Sequence, residues 1–209
     1  EPIHPLIQWI VHENRETSAI HPCSAIILRE PVPQIKTCIF VYFIQLWKAE
    51  GWKNKKELRF FAAPIDGGPL ASSDAERLLL AAFQRGAKWN SWEESISLEK
   101  MNSQLDRLVQ YAYEQHTLFD TNYLSDNEQL CKKQEEYAER TAHRKISELE
   151  ALIQRLETEG KLRVIPMHRG RIEKVNEQLK MQIEKINYHR IKAYTSPADK
   201  GVGIIKVEV

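Results

Sequence analysis

Thr37-Cys38-Ile39-Phe40-Val41-Tyr42-Phe43-Ile44-Gln45-Leu46-Trp47 is the stretch on which the fold turns. Cys38, Phe40, Tyr42, Ile44 and Leu46 alternate with Ile39, Val41, Phe43, Gln45 and Trp47, so a strand here is apolar on both faces as far as Gln45. A strand of that kind needs cover on both sides, which makes it central in its sheet. The polar residues 48–56, with Gly51, read as a hairpin connection. Residues 57–64 return as the next strand, with Leu58, Phe60 and Ala62 opposite Arg59, Phe61 and Ala63. Upstream, residues 25–29 form a short Ile-rich strand, and Asp66-Gly67-Gly68-Pro69 is turn chemistry. Residues 25–65 therefore read as three antiparallel strands. Residues 202–209 are β-branched and alternating, and read as a closing strand. Its expected partner is the sheet at 25–65, which ties the two ends of the chain together.

Outside these strands the apolar period changes. Leu6, Ile7, Trp9, Ile10 and Val11 read as a short amphipathic helix with Pro5 in its first turn. Ser72 or Ser73 is placed to cap a helix with Asp74 and Glu76 in its first turn and Leu78, Leu79, Ala82 and Phe83 as its stripe, ended by Gly86. Trp89 and Trp92, in a short loop, are expected to cover sheet or helix ends. Met101, Leu105, Leu108, Val109 and Ala112 continue with helical spacing. Asp120-Thr121-Asn122 is expected to interrupt that helix, and Ser125 with Glu128 forms a capping box for a new one. The new helix runs through Ile146, Leu149, Leu152, Ile153 and Leu156 to Glu159, with Gly160 as a natural left-handed C-cap. From Met167 a further helix carries Ile172, Val175, Leu179, Ile183 and Ile186 on one face. Two long helices on a short linker imply an antiparallel hairpin.

The fold class is thus α+β: an antiparallel sheet of about four strands with flanking helices and a long antiparallel helical hairpin. The expected division is a β-rich, spacer-like domain at 1–92, a helical region at 93–195 with its hairpin at 126–192, and the closing strand at 196–209.

Length and composition narrow the function. The chain has 209 residues, 42% hydrophobic and 28% charged, with 8 Gly and 9 Pro, so it reads as globular and not as a low-complexity chain. Its longest apolar run, 38–44, is strand-sized, far below the roughly 18 residues of a membrane span. Three dispersed cysteines argue against a disulfide scaffold or a Cys-rich zinc site and fit a reducing, cytoplasmic location. The first residue is Glu1, which reads as a piece cut from a longer chain. Charge is uneven. Residues 160–192 hold 9 Lys and Arg against 3 Asp and Glu, leaving 21 against 26 elsewhere out of the chain's 30 and 29. Such asymmetry marks either a solvated helix face or a surface that meets nucleic acid or an acidic partner.

Catalytic signatures are sparse. Gly67-Gly68 matches neither GxxxxGK[ST] nor GxGxxG, and neither GxSxG nor HExxH occurs. His4, His12, His21, His116, His143, His168 and His189 are scattered, and His21-Pro22-Cys23 has no further ligands nearby. Cys38 lies in an apolar strand, where the thiolate is disfavoured, and Cys131 on a charged helix. The carboxylates Glu135, Glu136, Glu148, Glu150 and Glu157 read as partners for neighbouring cations. No catalytic, cofactor-binding or metal-binding residue is assigned. The candidate contact residues are Lys161, Arg163, His168, Arg169, Arg171 and Lys174, around the hairpin turn. No aromatic residue lies between Gly160 and Asn187, so stacking on single-stranded bases is not expected there, whereas contacts to duplex phosphates or an acidic protein surface are.

His4-Pro5-Leu6-Ile7 with its apolar helix, the strand at 38–47, the long charged helices and the closing strand form an ordered set. That set resembles the region after the motor in bacterial Swi/Snf-type helicase-like ATPases, including the RNA-polymerase-associated member of that superfamily. Ala62-Ala63-Pro64 and the segment from Arg169 to Lys174 are similar to stretches near the C-terminal ends of large prokaryotic helicase proteins. The resemblance implies a non-catalytic C-terminal module of an ATP-dependent protein acting in transcription. Its implied partners are the upstream motor of the same chain and double-stranded DNA or RNA polymerase, with no membrane and no small-molecule substrate. The competing expectation is a stand-alone coiled-coil adaptor that binds protein only.

Overall fold

A computed structural model describes residues 24–90 and 95–208. The amphipathic stretch at Leu6–Val11, His4, His12, His21, Cys23 and Trp92 lie outside the described residues. Five strands form one sheet: β1 (Ser24–Leu28), β2 (Ile39–Glu50), β3 (Lys55–Pro64), β4 (Ala87–Lys88) and β5 (Tyr194–Val207), in the order β3-β2-β5-β1-β4. Three helices accompany them: α1 (Ser72–Arg85), α2 (Leu98–Thr158) and α3 (Ile165–Ile191).

The class is α+β with a mostly antiparallel sheet. Its strand order departs from the expected run of three consecutive antiparallel strands. β5 lies between β2 and β1 and pairs parallel with β1, from Ser24 opposite Gly203 to Leu28 opposite Val207. β5 runs antiparallel to β2: Cys38 accepts a 3.0 Å bond from the Val207 amide, and further along the Gln45 side chain meets Asp199. The physical reason is burial. Ile204, Ile205 and Val207 are within 1% of full burial, which only an interior strand with both faces covered provides.

The chain divides into two compact units that interleave along the sequence, whereas the sequence reading placed borders at 92 and 195. One unit holds residues up to Gln45, Leu58–Ala112 and Asp199–Val209; the other holds Leu46–Glu57 and Tyr113–Ala198.

In the first unit the sheet is covered on both faces. α1 presents Ala75, Leu78, Leu79 and Ala82 to Phe40, Tyr42, Ala62, Ile205 and Val207. The opposite face holds Val41, Ile204 and Trp89 against Ile96, just before α2, and Met101 in its first turn. Gln104 anchors this α2 segment through its side-chain amide, 2.9 Å from the Pro64 carbonyl and 2.7 Å from that of Gly67. Ala71 occupies the N-cap of α1 with no side-chain bond, so neither Ser72 nor Ser73 caps it; Phe83 of the expected stripe is half-exposed, edge-on to Tyr42.

In the second unit α2 and α3 run antiparallel. Arg190 pairs with Glu128 (3.2 Å) and Glu135 (2.7 Å), and Arg169 lies 3.8 Å from Glu157. The expected break at Asp120–Asn122 is absent: α2 is continuous for 61 residues and the Ser125/Glu128 capping box is unused. The Thr117 and Thr121 hydroxyls turn back onto the carbonyls of Tyr113 and Thr117, so these polar side chains bond within the ladder instead of breaking it. α2 ends where expected. Gly160 has φ +71°; the amides of Gly160 and Lys161 bond to the carbonyls of Glu157 and Leu156, the reciprocal pair of a Schellman cap.

Candidate partner-binding face

The six sequence-nominated residues fall into three environments. Arg163 lies on a 3-10 turn, Leu162–Val164, and Arg171 and Lys174 lie on the first turns of α3; all three are exposed and make no ion pair among the described residues. Lys161 and Arg169 are also exposed, but carboxylates hold them. Lys161 Nζ is 2.8 Å from Glu159 Oε2, and Arg169 lies near Glu157. Glu159 is held below the usual carboxylate range by its bonds from Lys161 and Arg155. His168 does not belong to the surface set: it is 7% exposed and its Nδ1 has no hydrogen-bond partner among the described residues. The cause is helical phase. His168 falls three residues after Ile165 and four before Ile172, which is the side of α3 that faces α2.

Exposed apolar residues accompany these cations. Leu162 is 64% exposed and Met167 51%. The same outer side of α3 bears Lys185 and Lys192, with Met181 and Tyr188, which the sequence reading did not nominate. The signal that finds them is spacing along α3 away from its seam, not local charge density.

Elsewhere in this unit, α2 presents a buried polar group to the start of β5. His116, 8% exposed, stands edge-on to the Trp47 ring at 5.2 Å. The Thr195 hydroxyl donates to Asp120 Oδ1 and lies 3.4 Å from His116 Nε2. Burial pushes His116 below its ordinary pKa, and the Asp120 charge partly offsets this. Because Thr195 donates to the carboxylate, its proton is not delivered to the imidazole, and the group works as a tie between elements. Asn127 makes a second tie. Its Oδ1 accepts 2.7 Å from the Trp52 amide, and its Nδ2 donates to the His189 carbonyl and to Cys131 Sγ. Gly51 permits this approach, since a Cβ there would lie 2.5 Å from Asn127 Oδ1. Burial pushes both the Cys131 and Cys38 thiols up, the direction that disfavours a nucleophilic thiolate. Among the described residues no cluster of three metal-ligating side chains occurs, and no helix is long and apolar enough to cross a membrane.

No family model matches the chain, and no curated protein matches it. Exposed cations without ion pairs among the described residues gather on the hairpin, on its 3-10 turn and along α3.

Proposed function

We propose that this chain is a non-catalytic C-terminal accessory module of a Swi/Snf-type helicase-like ATPase, and that its α2–α3 hairpin is the arm with which it meets an anionic partner, double-stranded nucleic acid or a protein such as RNA polymerase. The observation that carries the reading is the exposure of Arg163, Arg171 and Lys174 without ion pairs among the described residues, on the 3-10 turn and the first three turns of α3. Cations left unpaired at a turn are available to an anionic surface at low desolvation cost. The ordered resemblance of the chain to the post-motor region supplies the family side of the proposal. A second reading, the stand-alone adaptor that binds protein only, draws on one observation: apolar Leu162 and Met167 stand exposed among the cations, and phosphate contacts have no use for them.

Duplex binding by anisotropy at two salt concentrations tests the reading. Contacts to phosphate from the three unpaired cations, or from five if Lys161 and Arg169 leave their carboxylates, give a log–log salt slope of about −3 to −5. Changing Lys161, Arg163, Arg169, Arg171 and Lys174 to Ser should remove most of that slope and leave the fold intact. Wild-type binding unchanged in the variant, or no duplex binding at low salt, moves the assignment to the protein adaptor. ATP turnover by this chain alone would overturn the accessory-module reading.

A further inference from the structure

The outer face of α3 carries a pattern that its packing on α2 does not require. Met167, Arg171, Lys174, Met181, Lys185 and Tyr188 recur in alternating steps of four and three, with Gln178 filling the place between Lys174 and Met181. Lys192, at the C-cap, takes the next step of four. Every one of these residues is exposed; Met181 is 63% and Tyr188 60% accessible. The row is about 38 Å long at 1.5 Å per residue. It contains no acid, for Glu173, Glu177 and Glu184 stand off it, and its four cations make no ion pair among the described residues.

A four–three repeat of this length is the spacing at which one helix packs along another. Here the α2-facing seam, through Ile172, Val175, Leu179 and Ile183, already accounts for one such repeat, so the outer row is a second. Its chemistry narrows the occupant. A second copy of the same row would set Lys and Arg against Lys and Arg, which charge repulsion opposes. A membrane surface calls for a broad apolar face, and here each apolar position is separated from the next by cations or Gln178. Duplex phosphates would use the lysines and Arg171 but make nothing of Met181 and Tyr188. An acidic amphipathic helix uses both classes: its apolar residues against Met167, Met181 and Tyr188, its carboxylates against Arg171, Lys174, Lys185 and Lys192.

We propose that the outer row of α3 is a docking seam for an acidic amphipathic helix of a partner protein, which would lie along the hairpin as its third helix. This deepens the contact-arm reading and rests on it. The row extends that arm well past the turn, so the two are separable by position.

The test uses the full chain and a synthetic 28-residue helix with Leu at its a and d positions and Glu at e and g. The controls are a scrambled peptide of the same composition, a 20-base-pair duplex, and vesicles of phosphatidylcholine with phosphatidylglycerol. The expected result is binding of the ordered peptide over the scrambled one, weakened about tenfold or more by Lys185→Glu with Lys192→Glu. Replacing by Lys only the Glu in one half of the peptide, tried in each half, should restore binding to that double variant in one of the two peptides, since Arg171 and Lys174 keep their need for carboxylates. Met181→Ser should weaken binding without altering the charge of the row, and it serves alone if the double variant loses helicity. Equal binding of the scrambled peptide overturns the proposal, as does a double variant that binds the acidic helix unchanged. Duplex or vesicle binding that displaces the peptide and falls with the same substitutions overturns it too. Duplex binding lost only on changing the turn cations, with no peptide binding, removes this inference and leaves the contact arm standing.

Discussion

The two units of this chain are held together by different means. The first buries large side chains completely: Leu28, Phe40, Leu78, Leu79, Ile204 and Ile205 are all within 1% of full burial around a sheet with two covered faces. In the second, the hairpin seam through Ile146, Leu149, Ile153, Ile172, Val175, Leu179 and Ile183 is only half-buried, because two helices cannot enclose each other's apolar stripe. What specifies that unit is a set of polar ties: Asn127 on the Trp52 amide and His189 carbonyl, Arg190 between Glu128 and Glu135, and Thr195 on Asp120. The contrast teaches that area stabilises the first unit, whereas register in the second depends on a few bonds whose loss leaves buried groups unpaired.

The largest expected effect is in the sheet. Phe40→Ala should cost about 3–5 kcal/mol, because the covered strand cannot collapse into the space left. Hydrogen exchange should show the loss first across β1, β2 and β5; protection retained there would break the claim that buried area carries this unit. Next, Asn127→Ala should cost about 1–3 kcal/mol by stranding the Trp52 amide and the His189 carbonyl. Asn127→Asp keeps the acceptor for Trp52 and should recover part of that loss in a denaturant titration. If both variants match wild type, polar ties do not specify the hairpin unit. Gly160→Ala should cost about 1 kcal/mol, since its φ of +71° places a Cβ against the following carbonyl. Nothing beyond its own residue and chain neighbours lies within 4 Å of that Cβ, so the penalty is backbone strain alone, and a thermal melt showing no shift would deny the Schellman cap its role.

The smallest effect is a pH dependence in the second unit. His116 faces Asp120 from its own helix, Thr195 from β5 and the Trp47 ring from β2. Burial holds its pKa below the ordinary value, so the unfolded chain takes up the proton first as pH falls. Its contribution is therefore complete above the ordinary histidine pKa, near 6.5, and declines as pH drops below it. Thermal melts at pH 7.5 and 5.5 should show a smaller difference for His116→Phe than for wild type. An equal or larger difference would show that another group titrates there.

Much of the local structure was legible because its signals are local. Two-sided alternation from Cys38 to Ile44 marked the covered strand, and Gly160 marked the end of α2. The 3–4 spacing from Ile172 to Ile186 marked the seam of α3. The candidate cations were legible as a charge excess, but their individual states were not. His168 looked like part of the basic group until helical phase turned it inward, while Lys185 and Lys192 escaped notice because they are spread along a face and not clustered in sequence. The Asp120–Asn122 break failed for a related reason. Helix-breaking propensity is worth tenths of a kcal/mol per residue, and a packed seam on either side overrides it.

The sequence by itself determined the covered strand at 38–44, the helical character of the long segments, where the hairpin turns and where positive charge collects, since periodicity, glycine φ freedom and side-chain charge are properties of neighbouring residues. Only the tertiary structure decided that β5 enters between β2 and β1 and runs parallel to β1, that Asn127 reaches Trp52 and His189, and that His168 is buried while Arg171 is not. Those outcomes depend on contacts between residues far apart in the chain, such as the 154 positions that separate Gln45 from Asp199. An apolar alternating strand specifies that it must be covered and paired, but its own residues carry no record of which edge will receive it.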